Sequence, residues 1–296
     1  MESRLENQNI IVKKCLQAIN TVVLGKSEMI EIAFATLLAR GSILIEDRPG
    51  LGKTTLAKVL SKVLGLSFQR IQCTNDLLPM DILGRMDFSN KDQSKLIEGP
   101  IFASIVLLDE LNRAPPRTQS AFLQAMEEGE VSLEGITRSL PKPQMFIATQ
   151  NPHDQIGTSP LPESELDRFT VCLSLGFSNP EHEKKILRGE PQEELKKLEE
   201  VISKTELIEI QESVDQVKVS EAFLDLVVRF LNHTRSQGGF LSPRAGRDLV
   251  RVSQAVALIN GRNFTTPNDL QFCLAPVIDH RVKDSNGYIQ SFSFQA

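Results

Sequence analysis

The sequence predicts an α/β protein with two domains: a parallel sheet flanked by helices, and a smaller all-α domain after it. The chain has 296 residues, more than a single hydrophobic core normally supports. Short apolar runs alternate with helical patterns up to residue 177, as in parallel sheets covered by helices on both faces. From residue 178 to residue 296 we find only helical patterns. We therefore predict domains at residues 1–177 and 178–296.

The first domain begins with two predicted helices, at 5–23 and 28–39, because apolar residues recur there at helical spacing. A third helix is predicted from residue 53 to about residue 64. Short apolar runs flanked by turn residues predict the strands, and the runs at 68–73, 105–108 and 145–148 each suit burial on both faces. The five predicted strands are, in chain order, 42–45, 68–73, 105–108, 145–148 and 169–173.

The second domain follows the segment Phe177-Ser178-Asn179-Pro180, where the pattern changes. Beyond it no run has the composition of a strand, so the domain is predicted to be all-α. Its helical segments are predicted at about 181–189, 193–201, 205–215, 220–233, 243–259 and 267–275.

The composition favours a cytoplasmic protein that neither inserts into membranes nor has nucleic acid as its main partner. The formal net charge is −5, whereas a duplex-DNA binder needs a basic face. The four cysteines lie far apart without a CxxC pair, so we predict no zinc site or redox motif. The N-terminus does not have the pattern of a signal peptide, and no run of about 18 apolar residues occurs.

The strongest functional signal is the segment DRPGLGKT, which lies between a predicted strand and a predicted helix. Gly50 and Gly52 allow backbone amides to approach phosphate oxygens, and the helix N-terminus adds its positive dipole end. Lys53 would reach the β and γ phosphates of a nucleotide, and Thr54 would bind Mg²⁺. The predicted nucleotide-binding residues here are Asp47, Arg48, Pro49, Gly50, Leu51, Gly52, Lys53, Thr54 and Thr55.

The first position of this motif is usually glycine, and here it is Asp47. Aspartate is one of the few other residues that tolerate a positive φ, so we expect the loop to keep its geometry. Its carboxylate would repel a triphosphate unless it points away.

A second signal is the apolar run 105–108 followed by Asp109 and Glu110. Two acids at the carboxyl end of a buried strand are suited to a nucleotide site. Asp109 would hold Mg²⁺ through water, and Glu110 would polarise the attacking water as a general base.

With these motifs in place, the chain resembles the MoxR-type AAA+ ATPases over about residues 20–285. The segments that carry the resemblance include RIQCTNDLLPMDILG, GPIFASIVLLDELNRAPPRTQSAFLQAMEEGEV, IATQNPHDQIGTSPLPESELDRF and LSPRAGRDLVRVSQAVALINGRN. The resemblance implies a five-stranded parallel sheet of order 5-1-4-3-2, a helical lid domain, and assembly into a ring, usually a hexamer. It also implies Mg²⁺-dependent ATP binding between the two domains and against a neighbouring subunit.

Three further site residues follow from the resemblance. Asn151 corresponds to sensor 1, Arg168 to the arginine finger, and Arg244 to sensor 2. Arg244 would lie in the first turn of a helix that begins after Ser242, where a cation opposes the helix dipole. Arg113 and Arg117 are weaker candidates for contacts between subunits.

The resemblance also assigns two insertions that bear on what the protein acts upon. Residues 74–100 correspond to a helix-2 insert, and residues 130–143 suit a pre-sensor-1 hairpin. Neither has the interleaved basic and aromatic residues that indicate base stacking.

Together these features predict an ATP hydrolase that remodels partner proteins as a ring. The resemblance implies clients with von Willebrand factor A domains. Two alternatives stay open: a nucleic-acid loader or translocase of the same class, and a nucleotide-gated scaffold that turns over slowly. The first predicts ATPase stimulation by single-stranded DNA, and the intact Lys53, Asp109 and Glu110 speak against the second.

Overall fold

The computed structural model of the chain describes residues 2–87, 95–151 and 159–294. In these residues the strands are β1 Ile43–Glu46, β2 Phe68–Gln72, β3 Gly84–Asp87, β4 Lys95–Glu98, β5 Ile105–Asp109, β6 Glu130–Leu133, β7 Ile136–Ser139, β8 Met145–Gln150 and β9 Val171–Leu173. The α-helices are α1 Glu2–Val22, α2 Ser27–Leu38, α3 Lys53–Val63, α4 Pro79–Leu83, α5 Pro116–Glu128, α6 Glu163–Leu166, α7 Pro180–Leu187, α8 Glu190–Lys197, α9 Lys204–Asp215, α10 Glu221–Ser236, α11 Pro243–Ile259, α12 Pro267–Ile278 and α13 Ser285–Ser291.

The central sheet has five parallel strands in the order β2-β5-β8-β1-β9. When these five strands are renumbered 1 to 5 in chain order, the sheet read from β9 has the order 5-1-4-3-2, which confirms the expected strand order. In the register, Ile43 lies beside both Ile147 and Val171, and Ile105 lies beside both Phe68 and Met145.

One strand prediction is wrong in its burial. β2 was expected to be buried on both faces, but Gln69, Arg70 and Gln72 are exposed. The reason is its position, because β2 is a terminal strand of the sheet and, among the described strands, pairs only with β5. It therefore carries polar side chains that a central strand could not.

The sheet lies between two apolar layers, as predicted. Successive residues of β1 point to opposite faces, so Ile43 and Ile45 join one layer while Leu44 joins the other. The first layer is continuous with buried residues of α1–α3 and of the helices after residue 203. The second layer contains Phe122 of α5, whose ring meets that of Phe146 edge-on at 5.3 Å.

Residues 180–294 form helices and, within that range, the only β pairing is an isolated bridge between Lys218 and Phe264. The second predicted helix of this region is shifted, since α8 is Glu190–Lys197 rather than 193–201. Gly189 at φ 78° precedes its first turn and Pro191 lies within that turn, a combination that fixes an early start. The short helix α13 was not predicted. The domain boundary near residue 178 stays a prediction.

Both predicted insertions form ordered elements where the structure describes them. Residues 74–100 contain α4 and an antiparallel ribbon of β3 and β4, neither of which was predicted; residues 88–94 lie outside the described residues. In residues 130–143, β6 and β7 pair as a hairpin around Glu134 and Gly135, both of positive φ. None of the described helices is long and apolar enough to cross a membrane.

Because its strands are parallel, they all end at one edge of the sheet and all begin at the opposite edge. The phosphate loop (residues 47–54), the acid pair (Asp109 and Glu110) and Asn151 follow the carboxyl ends of β1, β5 and β8. Arg168 precedes β9 and therefore lies at the opposite edge, where its carbonyl accepts a hydrogen bond from Ser42 Oγ at 3.3 Å.

Candidate nucleotide site

The phosphate loop joins β1 to α3. Gly50 has φ 88° and Gly52 has φ 93°, in the left-handed region that favours glycine. Gly52 is the N-cap of α3, so the free amides of the first helical turn face the loop. The loop and helix thus form a cradle of N–H donors that suits phosphate oxygens.

Lys53 is held across this loop. Its side chain is buried, and Nζ donates to the carbonyl oxygen of Asp47 at 2.6 Å and to Asn151 Oδ1 at 3.5 Å. Burial lowers the pKa of this lysine, while the nearby carboxylates of Asp109, Asp47 and Glu110 oppose that shift. A cation kept in this position is available to phosphate oxygens entering the loop.

Asp47 points away from the loop. Its carboxylate accepts hydrogen bonds from Ser174 Oγ at 3.0 Å, from Leu175 N, and from Gly176 N at 3.4 Å. Asp47 does not use the positive φ that aspartate tolerates, since it is not among the residues of positive φ. The reason is local: Asp47 N donates to Gln150 O at 3.3 Å and so continues the pairing of β1 with β8.

The acid pair is fixed from the neighbouring strands. Asp109 Oδ1 accepts from Thr149 Oγ1 at 2.8 Å, and the same Oγ1 accepts from Glu110 N at 2.9 Å. Glu110 has φ 59°, a left-handed conformation that is costly for a residue with a side chain and is often found at functional sites. Its carboxylate accepts from Asn151 Nδ2 at 3.0 Å and pairs with Arg113 Nε at 2.9 Å.

Two residues of the edge strand β2 complete this arrangement. Arg70 Nη2 contacts Asp109 Oδ2 at 2.5 Å, and Gln72 Nε2 lies 3.4 Å from Glu110 Oε2. Neither residue was predicted. The available signal was the alternation of polar residues with Ile71 along a strand that ends beside the acid pair.

These groups surround one open cavity of about 400 Å³. Its lining residues are Pro49, Gly50, Gly52, Lys53, Thr54, Thr55, Arg70, Gln72, Asp109, Glu110 and Asn151. The structure therefore brings together most of the predicted site. Asp47, Arg48 and Leu51 do not line this cavity.

The donor set fits Mg²⁺ held jointly with a nucleotide. The Thr54 hydroxyl and the Asp109 carboxylate are hard oxygen ligands at the same cavity, and the guanidinium of Arg70 already holds a positive charge against Asp109. Among the described residues no group of three or more His, Cys, Asp or Glu could hold a metal without further ligands. Mg²⁺ would need phosphate oxygens, as is usual for this ion.

A second cavity, of about 430 Å³ and mainly apolar, adjoins the phosphate loop and was not predicted. It shares Pro49, Gly50, Gly52 and Thr55 with the first cavity and continues to Val22 and Leu24, to Phe177, and to Ile186 and Leu187 of α7. Lys26 closes one side, since its Nζ donates to the carbonyl oxygens of Gly176 and Phe177 at 3.0 and 2.6 Å.

Arg168 and Arg244 lie apart from both cavities. Arg168 Nη1 is 3.3 Å from Glu127 Oε2, and Arg244 Nη2 contacts Glu127 Oε1. Both arginines line a third cavity, of about 680 Å³, and no described residue lines both this cavity and the one at the phosphate loop. Arg113, a weaker candidate for contacts between subunits, instead pairs with Glu110 of its own chain.

Comparison with known proteins agrees with this arrangement. The model of the "ATPase family associated with various cellular activities (AAA)" matches residues 42–171, and the model of the AAA lid domain matches residues 229–291. The phosphate loop, the strand order and the helical lid define the chain as an AAA+ ATPase.

Relatives that align along most of this chain identify its family within the AAA+ ATPases. The chain is 38% identical over 282 residues to the uncharacterized protein YeaC of Bacillus subtilis, covering 94% of this chain and 88% of YeaC. It is 32% identical over 286 residues to the chaperone MoxR1 of Mycobacterium tuberculosis, covering 92% of this chain and 75% of MoxR1. This chain belongs to the MoxR-type AAA+ ATPases.

Solved structures share the fold. A crystal structure of a protein from Cytophaga hutchinsonii superposes with a TM-score of 0.89 at 28% identity, covering 100% of this chain and 98% of that one. A full-length MCM homolog from Methanopyrus kandleri has a TM-score of 0.64 at 15% identity, covering 96% of this chain and 62% of that one. At that identity the second likeness concerns the fold alone.

Proposed function

We propose that the protein hydrolyses ATP with Mg²⁺ and uses this reaction, as a ring of identical subunits, to remodel partner proteins. The observation that carries the proposal is the convergence of Lys53, Thr54, the acid pair and Asn151 on one cavity. Membership of the AAA+ ATPases supports ATP hydrolysis in general.

Each residue has a role that its position supports. Lys53 would bind the β and γ phosphates, and Thr54 with Asp109 would hold Mg²⁺, Asp109 through water. When bound, Mg²⁺ neutralises charge on the phosphates. Glu110 would accept a proton from the attacking water, and Asn151, already bonded to Glu110 Oε1 at 3.0 Å, would orient that carboxylate and the water.

The adjoining apolar cavity is the proposed site of the nucleotide base. It is continuous with the phosphate loop and has α7 on its far side, so a bound nucleotide would contact both the sheet domain and the lid. Apolar walls with backbone carbonyls nearby are typical of such sites.

Arg168 and Arg244 would act on the nucleotide of a neighbouring subunit. They lie at the sheet edge opposite the phosphate loop of their own chain, and their cavity is open to the outside. Arginines brought to a γ phosphate from a second chain stabilise the charge of the transition state. This division of the site supports the ring, which we propose to be a hexamer.

The clients are proposed to be proteins, with von Willebrand factor A domain proteins as the first group to test. The relative MoxR1 is named a chaperone, which supports a remodelling role. A Glu110→Gln variant, which would bind ATP without hydrolysing it, should retain the client in pull-downs from which Lys53→Ala, defective in ATP binding, recovers none.

The hydrolytic site is tested by ATP titration and phosphate release. Lys53→Ala should abolish ATP binding, and Glu110→Gln should bind ATP but hydrolyse it at least ~100-fold more slowly. Lys58→Ala, an exposed lysine of the same helix, is the matched control and should behave as the parent. Parent-like ATP binding by Lys53→Ala would refute the assignment of the phosphate loop.

The shared site is tested by mixing. Arg168→Ala should bind ATP almost as the parent does but hydrolyse it ~10³-fold more slowly. Glu110→Gln and Arg168→Ala subunits, each inactive, should regain activity when co-assembled, because some interfaces then carry both intact groups. Parent-like turnover of Arg168→Ala alone would refute the shared site, and stimulation by single-stranded DNA would favour the translocase alternative.

A further inference from the structure

The third cavity, here called the arginine cavity, brings together cations from two parts of the chain. Arg168 comes from the segment before β9, whereas Arg244 comes from the first turn of α11 in the lid. One carboxylate, that of Glu127 near the end of α5, contacts both: Oε2 with Arg168 and Oε1 with Arg244.

Side-chain contacts join the two chain segments that carry Arg168 and Arg244. Ser242, the N-cap of α11, donates to both carboxylate oxygens of Asp167 at 3.0 and 2.9 Å. Arg281, whose side chain is 2% exposed, bonds Asp167 Oδ1 through Nε at 2.9 Å and Asp248 Oδ2 through Nη2 at 2.7 Å. The segment that carries Arg168 and the start of the helix that carries Arg244 are therefore one unit.

The side chains of Arg168 and Arg244 need a further restraint, because fixing the two segments does not fix the arginine rotamers. An arginine has many rotamers, and ordering it costs conformational entropy. Two neighbouring guanidinium groups also repel each other. The side chains of Arg168 and Arg244 are 29% and 27% exposed, so the walls of the cavity hold them only in part. Glu127 supplies an acceptor for each, and each guanidinium keeps donors free because it has five.

We propose that Glu127 is a positioning residue, which holds Arg168 and Arg244 side by side so that both meet the same phosphate of the neighbouring subunit. The inference rests on the proposed shared site and adds a residue to it. Glu127 itself need not touch the nucleotide, because its carboxylate would repel phosphate and acts here through the two cations that it binds.

Glu127→Gln tests the proposal, since it keeps the shape of the side chain and removes its charge. We expect ATP affinity, ring assembly and the urea midpoint to match the parent, while turnover at saturating ATP falls ~10–100-fold, the scale of a slightly misplaced catalytic group. Glu128→Gln is the matched control: this exposed neighbour contacts Gln124 at 2.9 Å and should leave turnover unchanged.

Mixing then assigns Glu127 to one side of the interface. Glu127→Gln subunits should regain activity when co-assembled with Glu110→Gln subunits, and should not do so with Arg168→Ala subunits. In one chain, Glu127→Gln added to Arg168→Ala should slow turnover by less than it does in the parent, because one of the two positioned groups is already gone.

Three results would overturn the inference. Parent-like turnover of Glu127→Gln beside a slow Arg168→Ala would leave the shared site intact and remove Glu127 from it. Faster turnover would mean that the carboxylate competes with phosphate for the arginines. Weakened ATP binding, or no recovery with Glu110→Gln, would place its effect in its own subunit. Parent-like turnover of Arg168→Ala is the separate result that defeats the proposed function.

Discussion

Replacement of Asp47 by glycine separates two possible roles of this unusual residue. Glycine is the residue usually found at the first position of the phosphate loop, so the change restores the common motif. In the structure the residue Asp47 is 6% exposed, and its carboxylate accepts hydrogen bonds from Ser174 Oγ, Leu175 N and Gly176 N. It ties the phosphate loop to the segment that leads from β9 into the lid.

The magnitude follows from these contacts. The bond from Leu175 N dominates, because this amide is buried, whereas Ser174 is exposed and the bond from Gly176 N is long at 3.4 Å. A buried hydrogen bond to a charged group contributes about 1.5–3 kcal/mol. Glycine adds about 0.5–1 kcal/mol of backbone entropy cost. We expect Asp47→Gly to lower the free energy of unfolding by about 2–4 kcal/mol. ATP affinity should change less than ~10-fold, roughly 1.4 kcal/mol, because the carboxylate does not line the nucleotide cavity.

Urea unfolding without nucleotide and titration with a fluorescent ATP analogue measure the two effects. Ser174→Ala is the partial control, since it removes one of the three bonds and should cost about 1 kcal/mol without changing ATP affinity. If Asp47→Gly binds ATP far more tightly and unfolds at the parental urea concentration, the carboxylate of the parent faces the phosphates and does not hold the segment after β9.

Three further changes test other parts of the structure. Arg281→Leu should lower the free energy of unfolding by about 3–5 kcal/mol, because two partly buried acids lose the buried cation that pairs with both. Lys184→Leu, in an exposed ion pair, should hardly move the urea midpoint. Gly52→Ala should cost about 1–2 kcal/mol of backbone strain and weaken ATP binding, while Gly135→Ala, at a similar φ in the β6–β7 turn, should carry the strain without the binding defect. Burial lowers the pKa of His280 from 6.5 to about 3, so on acidification the unfolded chain takes up a proton that the folded protein refuses. Relative to His280→Asn, the parent should therefore lose about 1.4 kcal/mol of stability for each pH unit between the two pKa values in acid-unfolding experiments, and parallel curves would contradict this.

The sequence predicted the parts of the fold that depend on local patterns. The five strands of the sheet follow from apolar runs, and the phosphate loop follows from one contiguous motif. The burial of β2 was predicted wrongly for a physical reason. A short run that mixes apolar and polar residues does not reveal whether the strand is central or terminal in the sheet. Its edge position left Arg70 and Gln72 free to face the acid pair.

The missed contacts link residues that are distant in sequence. Thr149 positions both members of the acid pair, yet as one hydroxyl in an apolar strand it carried no signal until β8 was placed beside β5. The shared contact of Arg168 and Arg244 with Glu127 likewise requires the lid to be packed against the sheet domain. Periodicity and motifs do not encode such distances.

The two edges of the sheet also constrain how subunits could meet. If the arginine cavity of one subunit serves the phosphate loop of the next, the contact joins two different surfaces, one from each edge. An open chain of such head-to-tail contacts leaves one surface free at each end, and only closure into a ring satisfies every surface. Contacts whose rotation does not close give a filament. Two subunits facing each other about a two-fold axis would instead place like edges together, arginine cavity against arginine cavity, and the cations of the two copies would repel. The proposed mechanism and the proposed ring thus stand on the same feature, the opposite placement of Lys53 and Arg168 on one parallel sheet.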